Sequence, residues 1–218
     1  MPHSHINKLA HINTWIFDLD NTLYRGDDIF FSQIVGKITK YISRYLALHP
    51  TDARILQKQY LKEYGTSLSG LMAIHGMDPA DFLDYVHDVD LDMLKPDPLL
   101  YKGLDALPGK KYMFTNGSRG HAKNIGEHLG IYKLFDGVFA IEDVDYTPKP
   151  KRSAYEKFIN EFDIDPTRAL MAEDTVHNLQ VPKDMGMATL YIAPNGSELP
   201  NYVDMQTYDL PAWLAVWS

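Results

Sequence analysis

Acidic side chains follow two apolar runs of this sequence, and their chemistry suits a metal-dependent reaction of phosphate. Asp18 and Asp20 come directly after the first run, and Glu173 and Asp174 come after a later one. Several carboxylates that share a small site repel one another unless a cation lies between them. A site of oxygen ligands, with room for water and phosphate, is typical of Mg²⁺. We therefore predict a Mg²⁺ site that binds a phosphorylated substrate.

Two further side chains could stabilise phosphate in the same site. Thr115 follows another apolar run, and Lys149 follows an acidic loop. A hydroxyl donor and a fixed ammonium would stabilise the charge on a transferring phosphoryl group. Taken singly, residues of these types are more often helix caps, turn formers or solvated charges. Their positions after successive runs favour one shared site over that structural explanation.

The two carboxylates of the Asp18-Leu19-Asp20 segment must do different jobs in such a reaction. A metal-bound carboxylate can attack phosphorus as a covalent nucleophile. A second carboxyl can protonate the leaving oxygen and later take a proton from water. The residues therefore predict hydrolysis of a phosphate monoester through a phosphoaspartyl intermediate.

The elements that must position these residues are short apolar runs that alternate with helical patterns. Runs without polar alternation are typical of parallel strands covered on both faces, and the strand–helix alternation indicates an α/β fold. We predict a Rossmann-like parallel sheet, in which ligands bind outside the carboxyl ends of the strands. The predicted strands are 14–17, 112–114, 138–141, 170–172 and 188–192, and the predicted helices are 118–129, 151–162 and 175–185.

The stretch between the first two strands has a different pattern, with apolar residues at helical spacing and no convincing strand. Gly65, Gly70 and Gly76 punctuate it, and Pro96 closes it. We predict an inserted all-α cap domain, and the alternative is one mixed domain with long crossover helices. The predicted division is a core domain of residues 1–24 and 96–218 and a cap domain of residues 25–95.

The composition of the 218 residues narrows the classes of partner. The formal net charge is −8, which argues against a nucleic acid or an anionic membrane, because both require a basic surface. No apolar segment approaches the ~20 residues of a membrane span, and the sequence has no cysteine. We expect a cytoplasmic protein that acts on a small phosphorylated molecule, and the sequence leaves its oligomeric state open.

Other phosphate and metal motifs fail on inspection. Residues 18–22 begin like a calcium-binding loop, but Leu23 stands where that loop needs glycine and Ile29 where it needs glutamate. Residues 103–110 resemble a P-loop but have five residues between the glycines instead of four, and Lys111 follows instead of Ser or Thr. Neither motif supplies an alternative site.

Together these residues resemble the haloacid dehalogenase (HAD) superfamily of phosphohydrolases from about Trp15 to Ile192. The helical insertion resembles the C1-type cap of that superfamily. Four family motifs occur in order, namely Phe17-Asp18-Leu19-Asp20-Asn21-Thr22-Leu23, Phe114-Thr115-Asn116-Gly117, Lys149-Pro150, and Glu173-Asp174 with Asn178.

The resemblance implies a role for each site residue. Asp18 would be the nucleophile and a Mg²⁺ ligand, and Asp20 would be the general acid and base, with its backbone carbonyl on the metal. Asp174 would complete the metal site, with Glu173 contributing directly or through water. The residues implied to hold the substrate phosphate are Thr115, Asn116 and Lys149.

The resemblance also orders the possible reactions. Dehalogenating members lack an acid at the position of Asp20, so its presence favours phosphoryl transfer. Within the superfamily, the sequence most resembles the pyrimidine 5′-nucleotidases, at Tyr24 and in the segments 62–65 and 94–97. This resemblance implies UMP or CMP as the substrate. The alternatives are a sugar-phosphate phosphatase, a phosphomutase like β-phosphoglucomutase, and a binding protein on a silenced phosphatase scaffold.

Overall fold

The computed structural model describes residues 9–26, 28–194, 196 and 199–217. Among them, a six-stranded parallel sheet is flanked by helices, which confirms the predicted α/β fold with a Rossmann-like sheet. The strands are β1 (Thr14–Phe17), β2 (Lys110–Phe114), β3 (Gly137–Phe139), β4 (Ala169–Glu173), β5 (Ala188–Ile192) and β6 (Met205–Thr207). Their spatial order is β3-β2-β1-β4-β5-β6, and every neighbouring pair is parallel.

The central strands β1 and β4 are buried along their whole length. Their apolar side chains, such as Trp15 on one face and Ile16 on the other, are buried in separate clusters on the two faces of the sheet, so both strands read as continuous apolar runs. The edge strand β6 has three half-buried residues and no such run, and the sequence does not predict it. Strand β3 is shorter than predicted, because Ile141 already belongs to a 3-10 turn.

Helices fill the connections between the strands, and most begin at a capping side chain or a proline. Asp97 accepts hydrogen bonds from the backbone N–H groups of Leu99 and Leu100, which starts one of these helices at Pro98. The helices are α1 (Asp28–Tyr45), α2 (Pro50–Tyr64), α3 (Ser67–His75), α4 (Pro79–His87), α5 (Pro98–Ala106), α6 (Arg119–His128), α7 (Arg152–Glu161), α8 (Gln180–Asp184) and α9 (Leu210–Leu214).

The helix predicted over 175–185 is divided. A 3-10 turn covers Val176–Leu179, and only α8 is α-helical. Pro182 lies in the first turn of α8, where its missing N–H breaks no intrahelical hydrogen bond, and a proline is not tolerated deeper in a helix. The late start of the α-helix therefore follows from the position of this proline.

Helices α1 to α4 occupy the stretch between β1 and α5, and no strand lies there within the described part of the chain. Ile42 on α1 and Phe82 on α4 are buried in one apolar cluster with Phe114 of β2, so these helices pack on the sheet as well as on one another. Gly65 and Gly76 end α2 and α3 with positive φ, as expected of glycines that terminate helices.

Gly70 does not interrupt a helix, although the sequence suggests that it does. It lies inside α3 where that helix crosses α2, and a Cβ atom at position 70 would lie 2.6 Å from Cβ of Tyr60. The glycine permits close contact between two helices.

Across the described ranges, no helix has both the length and the apolar character that crossing a membrane requires.

Candidate active site

The predicted acidic residues lie together at the point where the strand order of the sheet reverses. Strands β1 and β4 are neighbours in register, with Phe17 beside Ala172, so Asp18 emerges next to Glu173 and Asp174. Each of these three carboxyl groups has an oxygen within 4.8 Å of the others. The chain runs outward from β1 to β3 on one side and from β4 to β6 on the other, and this type of switch point is where α/β sheets bind ligands.

Lys149 reaches into the acidic cluster from the loop between β3 and α7. Its side chain is fully buried, and its Nζ atom lies 2.8 Å from Oδ1 of Asp18 and 2.7 Å from Oε2 of Glu173. The ammonium also donates to the carbonyl of Phe114 at 2.7 Å. Burial disfavours its charge, but Asp18 and Glu173 raise the pKa of Lys149, so it remains a fixed cation.

The charges of this cluster do not balance without a further cation. One ammonium faces three carboxyl groups, and burial together with the nearby Glu173 raises the pKa of Asp18. Burial and the charge of Asp18 raise the pKa of Asp174 as well. Oxygen atoms crowded in this way fit Mg²⁺, which would offset the remaining negative charge. The carboxylates of Asp18, Glu173 and Asp174 lie close enough together to hold such an ion, and the backbone carbonyl of Asp20 stays a predicted ligand.

Both carboxylate oxygens of Glu173 already have partners in the protein. Oε2 accepts from Lys149, and Oε1 accepts from the backbone N–H of Thr175 at 3.1 Å. The side chain is 1% exposed. These contacts make Glu173 an anchor for Lys149, and direct binding of Glu173 to the metal stays a prediction.

Thr115 and Asn116 lie at the end of β2 beside the cluster. Oγ1 of Thr115 accepts from the backbone N–H of Gly117 at 2.9 Å, and Thr115 is buried. The side chain of Asn116 makes two hydrogen bonds to the backbone of Lys149, donating to its carbonyl at 3.1 Å and accepting from its N–H at 2.8 Å. The Asn116 side chain therefore fixes the loop that presents Lys149, and a role of Asn116 in binding phosphate would fall to its backbone N–H.

Asp20 lies in a different electrostatic environment from Asp18. Its Oδ1 atom accepts hydrogen bonds from the hydroxyl of Tyr24 and from Nε2 of His121, the latter at 2.9 Å. Burial opposes the charged form, but His121 and Tyr24 lower the pKa of Asp20 to about 2. Asp20 is thus held as a carboxylate, whereas burial and Glu173 shift the pKa of Asp18 in the opposite direction.

Sequence reasoning does not identify His121. A lone histidine in an amphipathic helix usually packs in the core, and the only available signal was its place in the first turn of α6, directly after the segment that contains Thr115. His87 of α4 was missed as well. Its ring stacks on that of His121 with centroids 4.3 Å apart, and burial together with His121 lowers the pKa of His87 to about 3.

Two cavities lie near these residues. One of about 130 Å³ is lined by apolar side chains of α1, α3 and α4, by His87, and by Asn116. The other, of about 530 Å³, lies beside Tyr24 and Arg25 and extends to the residues before α9. At its rim the guanidinium of Arg25 lies 3.4 Å from the ring centroid of Tyr208. The smaller cavity lies between the inserted helices and the end of β2.

Residues 12–186 match a protein-family model described as haloacid dehalogenase-like hydrolase. Phosphate metabolism protein 8 of Saccharomyces cerevisiae is 33% identical over 136 residues, which are 57% of this chain and 42% of the yeast protein. The match therefore spans less than half of the yeast protein. Pyrophosphatase PpaX of Bacillus thuringiensis is 24% identical over 196 residues, which are 84% of this chain and 83% of that protein.

A solved structure of the HAD-hydrolase YfnB from Bacillus subtilis, described as bound to magnesium and as revealing interdomain movement, has a similar fold. The TM-score is 0.63 at 12% identity, and the match covers 95% of this chain and 99% of that one. At this identity the likeness concerns the fold alone. Because the family model covers well over half of its residues, the chain belongs to the haloacid dehalogenase-like hydrolase family.

Proposed function

We propose that the protein is a Mg²⁺-dependent phosphatase that hydrolyses a small phosphate monoester through a phosphoaspartyl intermediate on Asp18. One observation carries the proposal: the Asp18 carboxylate lies beside Asp174 and Glu173 and bonds a buried, permanently charged Lys149. A nucleophile, a set of oxygen ligands and a fixed cation for phosphate thus share one end of the sheet. Family membership and the name of the PpaX relative, a pyrophosphatase, are consistent with phosphate hydrolysis.

The reaction can be written with the side chains of this site. A carboxylate oxygen of Asp18 attacks phosphorus and forms an acyl phosphate, while the bond from phosphorus to the leaving oxygen breaks. Asp20 gives a proton to that oxygen and then takes one from the water that hydrolyses the acyl phosphate. Lys149 and the Thr115 hydroxyl stabilise the charge on the phosphoryl oxygens. Mg²⁺, when bound, supplies the remaining positive charge and polarises the phosphoryl group.

We further propose the division into two domains. Residues 25–95 would form a C1-type cap, and residues 1–24 and 96–218 the core, of which 1–8, 195, 197, 198 and 218 lie outside the described residues. The four inserted helices support this assignment, because α1 contacts α2 and α4 while β1 and β2 pair without them. A cap over the carboxyl ends of the strands would exclude water and select the substrate.

For the substrate class we propose pyrimidine nucleoside 5′-monophosphates, UMP or CMP. Its support is the resemblance of the segments around Tyr24, 62–65 and 94–97 to that group of enzymes. The cavity beside Asn116 is about 130 Å³, which is below the ~300 Å³ typical of sites for drug-sized ligands. As it stands, this cavity therefore has no room for a nucleoside.

The alternative is a sugar-phosphate phosphatase or a phosphomutase. The small cavity favours a compact substrate, and the Glu173-Asp174 pair is a sequence that mutases of the family often carry. A mutase would return an isomerised phosphate ester with little free phosphate. Product analysis by phosphorus NMR therefore separates this reaction from hydrolysis.

The deciding experiment is a panel of phosphate compounds assayed with Mg²⁺ and with EDTA. The panel contains UMP, CMP, AMP, GMP, several hexose phosphates, glycerol phosphate and pyrophosphate, each at several concentrations. We expect phosphate release only with Mg²⁺ and a higher kcat/KM for UMP and CMP than for AMP and GMP. Equal rates for pyrimidine nucleotides and hexose phosphates would refute the nucleotide assignment, and inactivity on the whole panel would refute the phosphatase itself.

A further inference from the structure

The carboxylate of Asp20 is held at one of its two oxygens. The Tyr24 hydroxyl and Nε2 of His121 both donate to Oδ1, whereas Oδ2 accepts no hydrogen bond from a described residue. Two donors on one oxygen fix the rotation of the carboxyl group and present the other oxygen to the site. The proposed reaction requires such an arrangement, because an acid must be within hydrogen-bond reach of the leaving oxygen.

The position of His121 is itself set by its surroundings. The side chain is 1% exposed, and its backbone N–H donates to Oγ of Ser118, the N-cap of α6, at 3.1 Å. Gly117 leaves room for the approach, since a Cβ atom there would lie 3.3 Å from Cδ2 of His121 and 3.6 Å from Oδ2 of Asp20. The imidazole and the carboxylate thus meet over a position that has no side chain.

One residue of the inserted helices packs directly on the ring of His121. His87, the last residue of α4, stacks on His121 with an interplanar angle of 21°. Its Nδ1 atom shares a hydrogen bond of 2.9 Å with Oγ of Ser118, the same oxygen that accepts from the His121 backbone. His87 of the proposed cap therefore contacts both the ring of His121 and Ser118, which accepts from the His121 backbone.

We propose that His121 is the positioning residue of the acid/base Asp20, and that His87 makes this positioning depend on contact between the cap and the core. When α4 contacts the core, the imidazole of His121 is held between the ring of His87 and the carboxylate of Asp20. When the cap moves away, His121 loses its stacking partner and Asp20 loses a constraint on its orientation. This inference rests on the proposed phosphatase function, in which Asp20 protonates the leaving group.

The test exploits leaving-group basicity. The p-nitrophenolate ion leaves without a proton, whereas the alkoxide of glycerol phosphate leaves only when an acid protonates it. We therefore compare kcat/KM for the two esters, because this ratio reports the steps up to transfer of phosphate to Asp18. General acid catalysis contributes roughly 10²- to 10⁴-fold, so misplacement of Asp20 should cost the alkyl ester about 10- to 100-fold and the aryl ester less than about 3-fold.

His121→Leu removes the donor at nearly constant volume, and His121→Gln retains an N–H at a similar distance from the backbone. We expect the selective loss in the leucine variant and recovery of most of the activity on glycerol phosphate in the glutamine variant. His87→Leu should show a smaller loss of the same kind, and His87→Asn, which can still bond Ser118, should be close to wild type. His75→Asn, a substitution at an exposed histidine of α3, is the control and should change neither ester.

The reference for these variants is Asp20→Asn, and thermal unfolding shows whether each variant is folded. Equal losses on both esters in His121→Leu and His87→Leu, beside a selective loss in Asp20→Asn, would overturn the inference and leave the phosphatase intact. If His121→Leu does not fold, His87→Leu carries the same comparison. If glycerol phosphate is a poor substrate, the best alkyl phosphate of the panel takes its place, and a wild-type protein inactive on the whole panel would overturn the proposed function and, with it, the inference.

Discussion

Replacing Lys149 by methionine tests the electrostatic design of the site. The substitution keeps an unbranched side chain and removes the one ammonium that bonds both Asp18 and Glu173. Removing one partner of a buried ion pair typically costs about 3–5 kcal/mol, because the other charge stays buried without compensation. For a chain of this length about 1 kcal/mol corresponds to ~2–4 °C in Tm, so we expect a fall of roughly 6–20 °C in EDTA.

The experiment measures urea and thermal unfolding of Lys149→Met at neutral pH, with EDTA and then with Mg²⁺. Lys157→Met is the matched control, since Lys157 is half-exposed and pairs with the exposed Asp145, and surface pairs contribute about 0–1 kcal/mol. The double variant Lys149→Met/Glu173→Gln should recover part of the loss, because it removes one of the two stranded charges. Catalytic turnover should fall about 10²- to 10³-fold. A Lys149→Met protein within about 1 kcal/mol of wild type in EDTA would refute the argument from stranded charge.

Three further predictions follow from the same contacts. Asp18→Asn should abolish turnover with little change in the fold, as should EDTA for the wild type; retained activity in the folded variant would show that water attacks phosphorus directly. Burial and Glu173 raise the pKa of Asp18, so protons compete with Mg²⁺ in the neutral range. The Mg²⁺ affinity measured by calorimetry should therefore fall as the pH falls. An affinity independent of pH between about 5.5 and 7.5 would contradict this prediction. Gly70→Ala should destabilise the protein by about 1–3 kcal/mol through overlap with Tyr60, whereas Gly36→Ala, in α1 with open space around it, should stabilise it by about 0.5–1 kcal/mol; urea unfolding measures both.

The sequence was sufficient to bring Asp18, Lys149 and Asp174 together, because parallel strands end at one edge and each of these residues follows a strand. That step used the common direction of the strands, and for Lys149 it also required the loop after β3 to return to the same edge. The side chain of Asn116 could not be placed in the same way. Its two hydrogen bonds go to the backbone of Lys149, 33 residues later, and only the folded loop shows that pairing.

The sequence did not predict several other features, because the sequence patterns that mark them are short or ambiguous. Strand β6 has three residues at a sheet edge, too few for a periodic pattern. Gly70 resembles a helix breaker in sequence, but its lack of a side chain serves the crossing of α2 and α3. His121 and His87 are far apart along the chain, so their stacking depends on how α4 is docked against α6.

The two aspartates of the first motif are two residues apart, yet their surroundings push their pKa values in opposite directions. Burial and Glu173 raise the pKa of Asp18 despite its bond to Lys149, whereas His121 and Tyr24 lower the pKa of Asp20 and keep it ionised. Such a separation is how two identical side chains come to do different work in one site. As held here, Asp20 is in the form that takes a proton from water, the second half of the proposed reaction. For the first half it must carry a proton, and the negative charge of an arriving phosphate raises the pKa of Asp20 in the required direction.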